Sequence, residues 1–219
     1  MFAFVHRPLK VGLAVAAGLA LAGIEPGFAD SLSMQVGGLT NAPVGYIDFC
    51  RNFPDQCVAH GSEGAEPLTE ESWGELQDIN LAVNHSVKPV TDLQYYHRDE
   101  VWTLPQGYGD CEDYVLLKRK LLVDRGWSTS DLLVTVVFDE VGDGHAVLLA
   151  RTNRGDFVLD NKTDHVRRWY ETAYHFVKRQ SVNDPNRWVS VGDPRWSTQN
   201  TATARAEPAP DPVYGQQPQ

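Results

Sequence analysis

One helical run that feeds directly into three strand-like runs restricts what this chain of 219 residues can fold into. The break Gly107-Tyr108-Gly109-Asp110 is followed at once by residues 111–126, where Tyr114, Leu117 and Leu121 recur at helical spacing and Val115 and Leu122 widen the stripe. Lys118, Arg119 and Lys120 are expected toward the exposed side or the C-terminal half of that helix, and Gly126 is a natural stop. Three β-rich runs follow, at Leu132–Phe138, 145–151 and 156–160, and the linkers 139–144 and 152–155 both carry glycine. A helix with one apolar face beside an antiparallel meander predicts an α+β fold, with helices packed on an antiparallel β-sheet.

Upstream, Trp73, Leu76, Asn80, Val83 and Val87 fall at spacings of three and four, and Thr69 with Glu70 and Glu71 suits a capped, acidic first turn. Residues 30–40 read as a polar lead-in, 46–50 as a short apolar stretch, and 87–102 as loop with short turns. A further strand is expected at 174–179 or 187–191. The chain contains no internal repeat.

The two ends read differently from the middle. Arg7 and Lys10 are followed by an apolar run from Val11 to Ile24, and Gly27-Phe28-Ala29 offers small residues for a signal peptidase, so residues 1–29 are expected to be a signal peptide. A retained anchor is the weaker reading, because the run falls short of the roughly 20 apolar residues of a spanning helix. Removal of the leader predicts an exported, soluble protein with one domain over 30–196. Residues 197–219, rich in Thr, Ala, Pro and Gln, lack the apolar side chains that offset ordering entropy and are expected to be disordered. A formal charge of -10 argues against a nucleic-acid partner, whose phosphates it repels.

Three cysteines remain to be placed. Cys50 and Cys57 flank a proline turn that can bring two sulfurs together, and in an exported protein the spacing is compatible with a disulfide or with two free thiols. Cys111 then has no partner, and such a sulfur is either reactive or buried and inert. Its position at the start of a helix favours reactivity: the helix dipole and unpaired N–H groups stabilise a thiolate, and the same N–H groups can receive an oxyanion. An imidazole and a group to orient it complete such a site. If the turn between the second and third strands is centred on Asn153 and Arg154, His145 lies across from residue 160 or 162, so Asp160 is its direct or diagonal neighbour. A slip of one residue puts the two on opposite faces.

Gly109-Asp-Cys-Glu-Asp-Tyr114, Gly144-His-Ala-Val-Leu148 and Val158-Leu-Asp-Asn161 resemble the three signature segments of the bacterial transglutaminase-like cysteine peptidases, the family that includes LapG-type periplasmic proteases. The resemblance runs from about Ala42 through Trp73, Asn80, Asn84 and Trp102 to about Gln180. It implies a papain-like or transglutaminase-like core and a triad of Cys111, His145 and Asp160, acting through an acyl-enzyme. Carboxylates flanking a thiol raise its pKa unless a cation offsets them. The resemblance implies calcium held by Asp110 and Glu112, with Asp113 a weaker ligand; the alternative is that Asp110 caps the helix while Glu112 and Asp113 complement its dipole. It further implies a periplasmic endopeptidase acting on an exported protein, such as a large surface adhesin of a biofilm, and held by an inner-membrane cyclic di-GMP receptor. A transglutaminase-type acyl transferase and an inactive exported binding module are the competing readings.

Overall fold

The computed structural model describes residues 32–59, 61, 64–193 and 195. The expected signal peptide at 1–29 and the expected tail at 197–219 lie outside them. Along the described chain run β1 (Val36–Thr40), α1 (Val44–Asn52), α2 (Glu70–Ser86), β2 (Lys88–Pro89), α3 (Asp92–Tyr96), β3 (Tyr108–Gly109) and α4 (Cys111–Val123). Six strands complete it: β4 (Leu132–Phe138), β5 (Gly144–Thr152), β6 (Gly155–Asp160), β7 (Thr163–Arg168), β8 (His175–Gln180) and β9 (Trp188–Val191).

Seven of the strands form one antiparallel sheet in the order β1-β9-β8-β4-β5-β6-β7, and β2 and β3 make a small parallel pair. Strands have a side-chain period of two, so β4 and β5 feed two cores. Leu132, Val134, Ala146, Leu148 and Ala150 face α2 and α4, whose Leu76, Ile79, Val83, Val115 and Leu122 meet them. Leu133, Val137, Val147 and Leu149 point the other way, onto Met34, Trp169 and Phe176. No helix among the described residues is long and apolar enough to cross a membrane.

The expected long helix starts where its cap predicts. Thr69 Oγ1 accepts from the Ser72 N–H at 3.1 Å and Ser72 Oγ accepts from the Thr69 N–H at 2.9 Å, a reciprocal box that satisfies two donors left over at the helix end. Other segments differ from expectation. Residues 46–50 belong to a helix, α1, which buries Tyr46 and Phe49 and is joined to the following turn by a Cys50–Cys57 disulfide. The polar lead-in contains β1, an edge strand exposed along its whole length, so no alternation marked it. The region read as loop holds the short α3 and β2.

Lys118 and Arg119 are the clearest correction, because both are buried in α4 rather than exposed. Arg119 is satisfied by the carbonyls of Leu132 (3.0 Å) and Gln56 (2.8 Å). Lys118 Nζ finds no hydrogen-bond partner among the described residues, and burial lowers its pKa to about 7.

Asn80 and Asn84, one turn apart on α2, fasten the β6–β7 corner. Asn80 accepts from the Asp160 N–H at 3.1 Å and donates to the Thr163 carbonyl at 3.0 Å, while Asn84 donates to the carbonyls of Asp160 and Thr163 at 3.0 and 3.1 Å. These bonds satisfy backbone groups at the corner where β6 ends at Asp160 and the edge strand β7 begins at Thr163.

Candidate active site

Cys111 is the first residue of α4, and its half-buried sulfur lines a cavity of about 230 Å³ with Trp102, Glu112, Gly144, His145 and Ala146. Glycine at 109 is what lets the chain enter the helix here: a Cβ on Gly109 would lie 2.6 Å from Asp113 Oδ2 and 2.7 Å from Asp113 Cβ. The Cys111 thiol donates to Glu112 Oε2 at 3.1 Å, and the sulfur accepts from the Ala146 N–H. Burial, then the Glu112 carboxylate, push the thiol well above its ordinary range; burial and Asp110 in turn push Glu112 up to about 8.

This arrangement departs from the expectation of a thiolate favoured by the helix terminus. A helix dipole contributes about 0.3–1 kcal/mol at an exposed end and up to about 2 kcal/mol when partly buried. Desolvation of the sulfur and an acidic side chain bonded to it act in the opposite direction and outweigh that field.

His145 lies near the start of β5. Leu148 pairs with Leu159 and Thr152 with Gly155 around the two-residue turn Asn153-Arg154, a register that carries His145 level with Lys162 and leaves Asp160 its diagonal neighbour. His145 Nε2 and Asp160 Oδ1 meet at 2.9 Å, with side chains only 4% and 2% exposed. Burial alone raises a carboxyl's pKa, but the bonds from His145, Tyr174 and the Lys162 N–H hold Asp160 below its ordinary value. An ionised carboxylate only accepts, so Nε2 carries the imidazole proton and Nδ1 is left as the basic nitrogen.

A second group sits on the other side of Cys111. Ligand oxygens of Asp92, Asp110 and Asp113 lie within 4.8 Å of one another. Asp110 Oδ2 accepts from the Asp92 N–H at 3.0 Å, Asp113 Oδ1 from Thr103 N–H at 2.9 Å, and Asp92 Oδ2 from the Val101 N–H. Asp110 Oδ1 and Asp113 Oδ2 are buried and have no donor among the described residues. Burial pushes Asp113 up to about 8, with Asp110 and Asp92 adding to the effect. Glu112 is not in this group, since its carboxylate turns to the sulfur; Asp92, on α3 and eighteen positions before Asp110, takes the third place. Asp110 does not cap α4 with its side chain.

Sequence reasoning brought out Cys111, His145 and Asp160 and missed Asp92, Tyr174 and the Ala146 N–H. Asp92 lay in a stretch read as loop, and Tyr174 was read as the start of a strand. Neither carried a spacing signal toward the site.

Residues 36–196 match the model of the bacterial transglutaminase-like cysteine proteinase family, abbreviated BTLCP. The chain belongs to this family. It is a cysteine peptidase with a transglutaminase-like, papain-like α+β core. Among solved structures it is similar to calcium-bound LapG of Legionella pneumophila, at TM-score 0.47 and 20% identity over 60% of this chain and 80% of that one. EGTA-treated LapG of the same organism gives TM-score 0.46 and 20% identity over 61% and 78%. No curated protein is a significant match.

In chelator at pH 9, where the Glu112 carboxylate is charged, Glu112→Gln removes a negative charge bonded to the sulfur, so iodoacetamide is expected to alkylate Cys111 roughly 3- to 10-fold faster than in the unaltered protein. An unchanged or slower rate contradicts the assigned influence of Glu112.

Proposed function

We propose that the protein is an exported cysteine endopeptidase with a triad of Cys111, His145 and Asp160. The observation that carries this reading is the buried His145–Asp160 pair, whose imidazole lines the same cavity as the sulfur at the head of α4. His145 Nδ1 takes the thiol proton, the sulfur attacks an amide carbonyl, and the imidazolium returns the proton to the departing amine. Water then attacks the resulting thioester with His145 again as base, which frees the acid and restores the thiol. Asp160 holds the ring in its Nε2–H form and stabilises the charge that develops on it. The Cys111 N–H, in the first turn of α4 where a helix offers no intrahelical acceptor, would receive the oxyanion.

Calcium fits the acidic group on the far side of the cysteine. Three carboxylates with two buried oxygens that lack donors are the hard, negatively charged set such an ion takes. Asp92, Asp110 and Asp113 would hold it, and bound there it would offset the negative field that keeps the thiol protonated. One LapG structure similar to this chain is calcium-bound and another EGTA-treated, in keeping with the assignment. The sequence resemblance extends the proposal to a periplasmic enzyme that cuts a large surface adhesin under an inner-membrane cyclic di-GMP receptor. The leader-like residues 1–29 and the formed Cys50–Cys57 disulfide suit an oxidising compartment.

Incubation of the protein with exported surface proteins is expected to yield fragments with new N-termini, absent for Cys111→Ala. Amine incorporation without cleavage points instead to acyl transfer and contradicts the endopeptidase reading. For the metal, calcium is expected to raise the Tm of the unaltered protein by several degrees, with the rise lost in Asp113→Asn. An equal Tm with calcium and with EGTA removes calcium from the account.

A further inference from the structure

Asp160 is 2% exposed, and its two carboxylate oxygens have different partners. Oδ1 accepts from His145 Nε2 at 2.9 Å and from the Lys162 N–H at 3.0 Å. Oδ2 accepts from the Tyr174 hydroxyl at 2.5 Å. Tyr174 stands just before β8, and its ring meets the His145 imidazole edge-on, with centroids 5.5 Å apart and planes at 70°. One side chain therefore touches both members of the pair, the hydroxyl on the carboxylate and the ring against the imidazole.

The surroundings show what the hydroxyl does there. Asp160 and Tyr174 also line a cavity of about 420 Å³ with Lys162, His165 and Arg167, and no residue lines both this cavity and the one around Cys111. This second cavity therefore reaches Asp160 past residues other than those around Cys111. The phenol occupies the Oδ2 lone pair that water entering by this route would otherwise take. Lys118, buried in α4, attracts the same carboxylate through space. Tyr174 keeps its proton: burial, then its bond to Asp160, push its pKa above the ordinary value.

We infer that Tyr174 is a positioning residue for the Asp160–His145 pair: its hydroxyl fixes the carboxylate with Oδ1 on the imidazole N–H, which holds the imidazole in the Nε2–H form, and its ring packs edge-on against the imidazole. Its effect on turnover rests on the peptidase reading, whereas its effect on the pair does not. A hydroxyl serving only to tie the loop before β8 to the sheet would alter stability alone.

Tyr174→Phe keeps the ring and removes the bond. In the full-length variant, the ¹³C titration of the Asp160 carboxyl is expected to move upward, because a donor to the charged form is lost. Imidazole ¹⁵N shifts are expected to move from the Nε2–H form toward a tautomer mixture. Alkylation of Cys111 by iodoacetamide is expected to slow on the order of 3- to 10-fold, a fraction of what a positioned base supplies. An Asp160 titration and a His145 tautomer that both match the unaltered protein overturn the inference, whatever happens to Tm. If the variant does not fold, the unaltered chain carries the test: the Tyr174 hydroxyl proton should exchange slowly and shift as Asp160 titrates, and free exchange with water at every pH overturns it. None of these readouts needs a substrate. If they hold while exported proteins stay uncut, the peptidase reading fails and the role of Tyr174 stands; if cutting occurs and they do not respond, the role of Tyr174 fails alone.

Discussion

A carboxylate that keeps its charge inside a protein needs donors on both oxygens, and the architecture around Asp160 supplies them. His145 comes from β5, the Lys162 N–H from the turn after β6, and the Tyr174 hydroxyl from the approach to β8. Asn80 and Asn84 reach up from α2 to hold the backbone of the same corner. The pairing of β5 with β6 fixes the diagonal contact, and a slip of one residue would break it and exchange the β6 side chains between the two buried faces of the sheet at once. Site geometry and fold stability therefore depend on the same register.

The head of α4 has the opposite character. There, Asp110, Glu112 and Asp113 flank the thiol, and Asp92 adds a fourth carboxyl. Packing like charges together in a buried place costs free energy unless protons or a cation neutralise them, and the raised pKa values of Glu112 and Asp113 record that cost. In the proposed mechanism the two halves of the site complement one another: the strand side supplies the base, and the helix side holds the sulfur as a neutral thiol until a bound cation relieves its field.

Much of this was legible in the sequence. The α4 stripe, the capped start of α2 and the strands β4 to β6 follow from periodicity and turn residues, and the Asn153-Arg154 turn set the register that joins His145 to Asp160. The edge strands β1 and β7 were not legible, because β1 is exposed along its whole length and β7 has no fully buried residue, so the alternation that marks a half-buried strand is absent. Lys118 and Arg119 were misplaced for a related reason: charge predicts exposure, and only tertiary structure supplies the carbonyls that bury Arg119. Asp92 joins the site from the short α3 and Tyr174 from the segment before β8, both distant in sequence from Cys111, and a contact of that kind leaves no local pattern. The acidic residues beside Cys111 were visible, but which of them converge was decided by helix geometry, which turns Asp113 inward and Glu112 toward the sulfur.

In the proposed mechanism the Cys111 sulfur and the His145 imidazole act as one unit. Labelling of Cys111 by a thiol-directed electrophile in the presence of calcium, compared between the unaltered protein and His145→Ala, tests it most directly. The account predicts a fall in labelling rate of about 100-fold or more in the variant, the contribution of a positioned base; equal rates in the two proteins contradict it.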